Sequence, residues 1–266
     1  MNDPPSLEVL FLHAAAHGDA RQVRLLLPVV DVNHRDQFGS TALLWACSAG
    51  RLEVVRALLE SPNLDVNLAY ADGLSPAALL CNCGTLHIFR LLLARPELDL
   101  EAGSLLAPTP LWYACSSGSI MIVQEMIAHG RGLRLDVMCR NPHEDLAPST
   151  PLRIAAHFYH HALVELLESY SLDPLRARHS ARLALFYPDA RACDLFALAI
   201  FNADSYCALP RRSPKKARRF FSVVRRLPME LVKTAALRLF GLSQDDITVS
   251  DAEGAFRDLS HWFTLR

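Results

Sequence analysis

Apolar segments come in pairs along the first two thirds of the chain, and a short polar segment follows each pair. The first member of a pair is rich in alanine, leucine and other small or apolar residues. The second member, such as residues 54–59 or 88–93, has apolar residues three and four positions apart. This spacing is typical of amphipathic helices. The pattern therefore predicts a succession of helix pairs joined by turns.

The first members repeat with a fixed period. Residues 41–50 read TALLWACSAG, residues 75–84 read SPAALLCNCG and residues 109–118 read TPLWYACSSG, so successive copies start 34 residues apart. A further copy starts at Thr150, and a degenerate copy lies at 11–18. A fixed period of this length indicates stacked repeats that bury their apolar faces against each other.

These copies resemble the ankyrin repeat over about residues 6–179. The family pattern is a T-P-L-H-x-A-A-x-x-G helix, a V-V-x-L-L-L helix and a hairpin that contains D-V-N, and the D-V-N residues recur at 31–33 and 65–67. The Thr or Ser is expected to cap the first helix, Pro to occupy its first turn, and Gly to end it. The resemblance implies an all-α fold, a solenoid of about five helix-turn-helix repeats with hairpin fingers.

The fifth copy departs from the pattern in two places. It starts 41 residues after the fourth, which predicts a longer finger between repeats 4 and 5, around 131–134 and 141–145. Tyr159 stands where the other copies have the Gly that ends the first helix. His160 follows it, and the resemblance gives this histidine a local structural role rather than a role in metal binding.

Residues 181–266 follow the repeats and are predicted to form a small helical domain that caps the last repeat. The segment 227–241 resembles the start of F-box helices, as in the PRANC arrangement that follows ankyrin repeats in poxviruses, and the tail is also similar to expanded fungal ankyrin families. The resemblance implies recruitment of a Skp-type adaptor of a cullin ubiquitin ligase. A purely structural capping helix remains the alternative. The F-box-like positions are Leu227, Pro228, Glu230 and Leu231.

The formal net charge of −1 hides two regions of opposite charge. Residues 1–180 carry 13 basic and 19 acidic side chains, whereas residues 181–266 carry 14 basic and 9 acidic ones. Much of the positive charge lies in the segment 211–226, which resembles a nuclear import signal; a solvated basic helix face is the alternative. Direct binding to nucleic acid is not predicted, because no recognition motif accompanies the charge. The import-like residues are Arg211, Arg212, Lys215, Lys216, Arg218 and Arg219.

The resemblance also implies where a partner binds, namely at the finger tips and at the exposed ends of the first helices. Several residues at these positions are large and apolar or aromatic, which suits an interface better than a solvated loop. The alternative is that the long fingers bury some of them against each other. The predicted partner-binding residues are Arg35, Gln37, Phe38, Tyr70, Asp72, Leu105, Leu106, Leu146, His157 and Phe158.

No motif in the sequence indicates an enzyme or a cofactor. The cysteines at 47, 81 and 115 follow the repeat period, which favours small buried core residues over a metal or redox site. The N-terminus shows neither a basic region nor an apolar run, so no signal peptide is predicted, and the most apolar stretch is too short to span a bilayer. We therefore expect a non-enzymatic adaptor or scaffold for a protein partner, monomeric and cytoplasmic or nuclear. The alternatives are a substrate receptor of a ubiquitin ligase and a nuclear regulatory adaptor.

Overall fold

The structure, a computed structural model, describes most of the chain up to residue 187. Its contacts divide the chain into two compact units, Met1–Leu167 and Glu168–Arg266, and the division falls within a helix. The predicted domain boundary near residue 180 stays a prediction. The described residues are 6–103, 107–131, 133–140, 147–185 and 187.

Eleven helices lie within this described part of the chain. Ten of them follow one another along the chain as five pairs, at the positions that the repeat pattern predicts. The helices are α1 (Leu7–His17), α2 (Ala20–Leu26), α3 (Ala42–Ser48), α4 (Leu52–Leu59), α5 (Pro76–Cys83), α6 (Leu86–Leu93), α7 (Pro110–Ser116), α8 (Ile120–His129), α9 (Pro151–His157), α10 (His161–Leu172) and α11 (Pro174–Ala184). None of the described helices combines the length and the apolar character that crossing a bilayer requires.

The first helix of each repeat starts as the sequence predicts. The Thr41 hydroxyl accepts a hydrogen bond from the backbone N–H of Leu44 at 3.3 Å, and Thr109 caps α7 in the same way. Pro110 occupies the first turn of α7, where a missing N–H costs nothing. These caps satisfy N–H groups that the helix itself cannot pair, so each repeat fixes the start of its own inner helix.

The repeats stack into two layers of helices. The odd-numbered helices α1 to α9 pack against one another in order and form the inner layer, whereas α2, α4, α6 and α8 form the outer layer. Large side chains such as Phe11, Phe89 and Trp112 fill the space between the layers and are almost fully buried. Burying one such side chain stabilises the fold by about 2–3 kcal/mol, so the stacking is driven chiefly by apolar contacts between repeats.

Asparagines in the hairpins also join neighbouring repeats. The Asn33 side chain donates to the Asn63 carbonyl at 2.8 Å and accepts from the Asp65 N–H at 2.9 Å. Asn67 makes the same pair of bonds one repeat later, to Glu97 and Asp99. Because each asparagine joins one hairpin to the next, it fixes the register of the stacked repeats and also stabilises the stack.

The predicted longer finger between repeats 4 and 5 is closed by a short antiparallel bridge. The backbone groups of Cys139 and Ser149 exchange two hydrogen bonds, of 3.1 and 2.9 Å. The residues 141–146 within this finger lie outside the described part of the chain. The bridge holds Ser149 directly before the fifth inner helix, α9.

Tyr159 adopts the left-handed conformation of the glycine that it replaces. Its φ is 59°, and the equivalent Gly118 has a φ of 73°. Among the described residues other than glycine, Tyr159 is the one with a positive φ. The fifth repeat therefore keeps the backbone turn, although a residue with a Cβ is strained in this conformation.

Replacement of Tyr159 by Gly is expected to stabilise the protein by about 1 kcal/mol, because it removes this backbone strain. The Tyr159 side chain is 77% exposed, so little packing is lost. The midpoint of urea unfolding measures the effect. Tyr159→Ala retains a Cβ and therefore the strain, so it should give no gain, and an equal gain from both variants would contradict the explanation.

The described part of the second unit is short. Asp173 caps α11 by accepting from the Arg176 N–H at 3.1 Å, and Pro174 occupies the first turn of the helix. Ala177, His179 and Ala181 are buried. The helices predicted after residue 188 lie outside the described residues.

Candidate functional site

The fingers of repeats 2 and 3 end in tight turns at equivalent positions. In the first, residues 36–40, the Asp36 N–H bonds to the Ser40 carbonyl, and the Asp36 carboxylate accepts from two backbone N–H groups at 2.8 Å. In the second, residues 70–74, the Tyr70 N–H bonds to the Leu74 carbonyl. Each finger is thus held by its own hydrogen bonds and presents its tip in a defined conformation.

Most of the partner-binding residues predicted at these tips are accessible. Phe38 is 66% exposed, Gln37 is exposed, and Tyr70 is half-buried. Arg35 is exposed too, but its guanidinium donates to the Ala69 carbonyl and so joins the two fingers. Asp72 is exposed and accepts from the Leu74 N–H at 3.0 Å. Phe38 and Tyr70 therefore combine accessibility with a rigid backbone.

Two aromatic residues of the inner helices belong to the same face, although they are not among the predicted partner-binding residues. Trp45 on α3 donates its indole N–H to the Asp36 carboxylate at 3.2 Å. Tyr113 on α7 is half-buried and packs edge-on against Trp112, with 5.5 Å between the ring centroids. Both occupy the fourth position after the capping Thr, the variable position of the family pattern, and large aromatic residues there were the signal that could have found them.

The electrostatic environment of this face is acidic and partly shielded from solvent. Burial raises the pKa of Tyr70, with smaller contributions from Cys47, Asp36 and Asp72. Burial also raises the pKa of Tyr113, and Asp72 adds to that rise. For Asp36, burial acts to raise the pKa, but the hydrogen bonds from Ser40, Phe38 and Trp45 outweigh it and hold the pKa below its ordinary value. Asp36 is therefore ionised at neutral pH.

A groove of about 370 Å³ lies between the first inner helix and the finger of repeat 2. Its walls are mainly apolar, and Trp45 and the Asp36 carboxylate lie at one side. His13 and His17 stack on each other across one turn of α1, with ring centroids 3.9 Å apart. The residues that line the groove are Val9, Leu12, His13, Ala16, His17, Asp36 and Trp45.

His157 and Phe158, at the end of the fifth inner helix, lie at the other end of the row of inner helices. Both are exposed, and their rings meet edge-on at 5.1 Å. The neighbouring His160 has the structural role that the resemblance implies, because its Nε2 lies 3.2 Å from the Ser116 carbonyl of the preceding repeat. The structure thus distributes those predicted residues that it describes along one series of fingers and inner helices, and does not gather them in one pocket.

The remaining predicted residues lie outside the part of the chain that the structure describes. This applies to three finger residues, Leu105, Leu106 and Leu146, and to the import-like and F-box-like segments at 211–226 and 227–241. Their roles stay predictions.

The periodic cysteines are core residues. Cys47, Cys81 and Cys115 are almost fully buried in successive inner helices, whereas Cys83 is exposed. Burial raises the pKa of the Cys115 thiol to about 12 and raises those of Cys47 and Cys81 as well. Among the described residues, no group of three or more His, Cys, Asp or Glu side chains is arranged to hold a metal ion.

Iodoacetamide at pH 8 is expected to alkylate Cys83 much faster than Cys47, Cys81 and Cys115, because the thiolate is the reacting species and burial suppresses it. Peptide mapping by mass spectrometry measures each rate. In urea the four rates should become similar. Alkylation of Cys47 or Cys115 at the rate of Cys83 in the native protein would contradict their placement in the core.

Comparison with known protein families agrees with this geometry. Residues 10–102 match the family model of ankyrin repeats, in three copies. No curated protein matches the chain. Residues 10–102 therefore contain ankyrin repeats, the described helices form an all-α solenoid, and the ankyrin repeat is a protein–protein interaction module. Proteins built from it typically bind partners rather than catalyse reactions.

Proposed function

We propose that the chain is a protein-binding adaptor that holds its partner along the fingers and the inner helices of its repeats. The observation that carries this proposal is the series of accessible aromatic residues on rigid elements, namely Phe38, Trp45, Tyr70 and Tyr113. Aromatic side chains in partly desolvated positions are the residues that contribute most to binding free energy at protein interfaces.

The state of these residues in the free protein supports an interface rather than a folding role. Phe38 is a large apolar side chain that is 66% exposed, so it contributes little to the core. The adjacent turn fixes its backbone through the Asp36 carboxylate, so little conformational entropy is lost on binding. A partner that covers Phe38 and Tyr70 would desolvate both without having to reorganise the finger.

Replacing Phe38 and Tyr70 together with Ala is expected to reduce partner capture about tenfold and to lower the thermal midpoint only slightly, because Phe38 is largely exposed and Tyr70 is only half-buried. Proximity labelling in cells with the full chain, followed by quantitative mass spectrometry, measures capture. Leu25→Ala on the outer helix α2 is the matched control, because Leu25 is also a largely exposed apolar residue, at 70%.

Proteins that are lost with the double variant and retained with the control are the partners of this face. If the double variant and Leu25→Ala label the same proteins to the same extent as the native chain, the proposed binding face is wrong.

A further inference from the structure

The fifth repeat contains a small pocket whose chemistry differs from that of the groove at the first repeats. It has a volume of about 230 Å³, enough for a side chain but not for a folded element. We call it the Arg153 pocket. Its lining residues are Ala147, Pro148, Ser149, Arg153, Ile154 and His157.

The polar groups of the Arg153 pocket come from one helix and one bridge. Arg153 and His157 are four residues apart on α9, so their side chains lie on the same face of the helix. Hydrogen bonds hold both the backbone and the side chain of Ser149 in place. Its backbone bonds to Cys139, and its hydroxyl oxygen accepts from the Trp112 indole N–H at 3.2 Å. Since that oxygen is already an acceptor, the Ser149 hydroxyl proton is available for donation.

Among the described residues, none forms a hydrogen bond or an ion pair with the Arg153 guanidinium. Arg153 is exposed, and its backbone N–H donates to the Thr150 hydroxyl at 3.3 Å, which caps α9. The His157 ring contacts Phe158 edge-on and is exposed. The pocket therefore offers donors around an apolar base formed by Ile154, which is 1% exposed.

We propose that the Arg153 pocket binds the carboxylate of an aspartate or glutamate in an extended segment of the partner. Guanidinium and carboxylate form two parallel hydrogen bonds, and the apolar base suits the methylene groups of the acidic side chain. The proposal rests on the proposed function, because it assumes that a protein segment lies along the inner helices.

Charge explains why the occupant is a carboxylate rather than a phosphate. Arg153 supplies one permanent positive charge, which matches the single negative charge of a carboxylate. A phosphate group carries about −1.5 to −2 at neutral pH and is usually held by several arginines. At the other end of the repeats, Asp36 and Asp72 repel an acidic side chain. An acidic side chain of the partner is therefore favoured at Arg153 over the fingers that carry Asp36 and Asp72.

Selection of a random linear peptide library on the full-length chain tests the proposal. The selected peptides should be enriched in Asp and Glu, and exchange of the acidic residue for its amide should weaken binding about tenfold. Arg153→Gln should weaken binding of the acidic peptide by the same factor and leave binding of the amide peptide unchanged, as a direct contact requires. Arg21→Gln, at an exposed arginine of α2, is the matched control and should change nothing.

Each outcome of this experiment has one meaning. Peptides that depend on Phe38 and Tyr70 but not on Arg153 or on an acidic residue would overturn the carboxylate site and leave the proposed function standing. Failure to select any peptide would overturn the binding of an extended acidic segment, whereas the proposed function is tested separately by the labelling experiment with the Phe38 and Tyr70 double variant. Tighter binding of a phosphoserine peptide than of the glutamate peptide, by more than about tenfold, would contradict the choice of carboxylate over phosphate.

Discussion

Replacement of Gly118 by Ala is expected to destabilise the protein by about 3 kcal/mol, although it adds a single methyl group. Two costs act together. The backbone of Gly118 has a φ of 73°, which a residue with a Cβ adopts at a cost of about 1–2 kcal/mol. The new Cβ would also lie 2.7–3.0 Å from three atoms of the His160 ring.

The His160 ring cannot simply move away from the new methyl group. Its Nε2 contacts the Ser116 carbonyl at 3.2 Å, so displacement would break a contact between repeats 4 and 5. Overpacking against such a neighbour typically costs about 1–3 kcal/mol. The variant therefore tests both the stacking of the last two repeats and the structural role of His160.

Gly50→Ala is the matched control for this prediction. Gly50 has nearly the same φ, 67°, but a Cβ there would meet no atom within 4 Å. Gly50→Ala should therefore destabilise the protein only through backbone strain, by about 1–2 kcal/mol. Urea unfolding followed by tryptophan fluorescence compares the two, and equal losses would show that His160 does not pack against Gly118.

Removal of the inner aromatic pair, Trp45→Ala with Tyr113→Ala, is expected to weaken binding of a captured partner about a hundredfold. Trp45 and Tyr113 lie at equivalent positions of two inner helices, beside the acidic groups of the fingers. Residues of these types, held in place by their neighbours, are the usual hot spots of interfaces. The dissociation constant of the purified complex, measured by calorimetry, gives the factor.

Changes in stability must be separated from changes in binding in this variant, because Trp45 also bonds to Asp36. The conservative pair Trp45→Phe with Tyr113→Phe keeps the aromatic surface and loses the two polar hydrogens. It should retain most of the affinity while losing the Asp36 hydrogen bond. If the Phe pair binds as weakly as the Ala pair, the polar contacts and not the aromatic surface carry the interaction.

The sequence predicted the repeats well because every repeat contains its own local signals. The Thr109 cap, Pro110 in the first turn and the buried Cys115 follow from backbone rules and from the size of a core position, and the structure confirms each of them. The period of 34 residues then aligns these signals between repeats. The ankyrin solenoid could therefore be predicted without any knowledge of contacts between repeats.

The binding face could be predicted only in part, because accessibility depends on contacts between repeats. Phe38 was selected and is exposed, whereas Arg35 was selected and also serves to join two fingers. Trp45 was missed although a large aromatic residue at the variable position is visible in the sequence, and only its bond to Asp36 depends on how the finger folds back. The Arg153 pocket was missed because the bridge between Cys139 and Ser149 shapes it.

Hydroxyl-radical footprinting of the full chain, free and bound to a captured partner, tests the proposed binding face most directly. Aromatic and sulfur-containing side chains react readily with the radical, and such side chains lie both on the proposed binding face and on the outer helices. In the complex, oxidation of Phe38, Trp45 and Tyr70 should fall strongly, and oxidation of Met121 on the outer helix α8, which is 44% exposed in the free protein, should not change. Protection of Met121 with unchanged oxidation of Phe38, Trp45 and Tyr70 would contradict it.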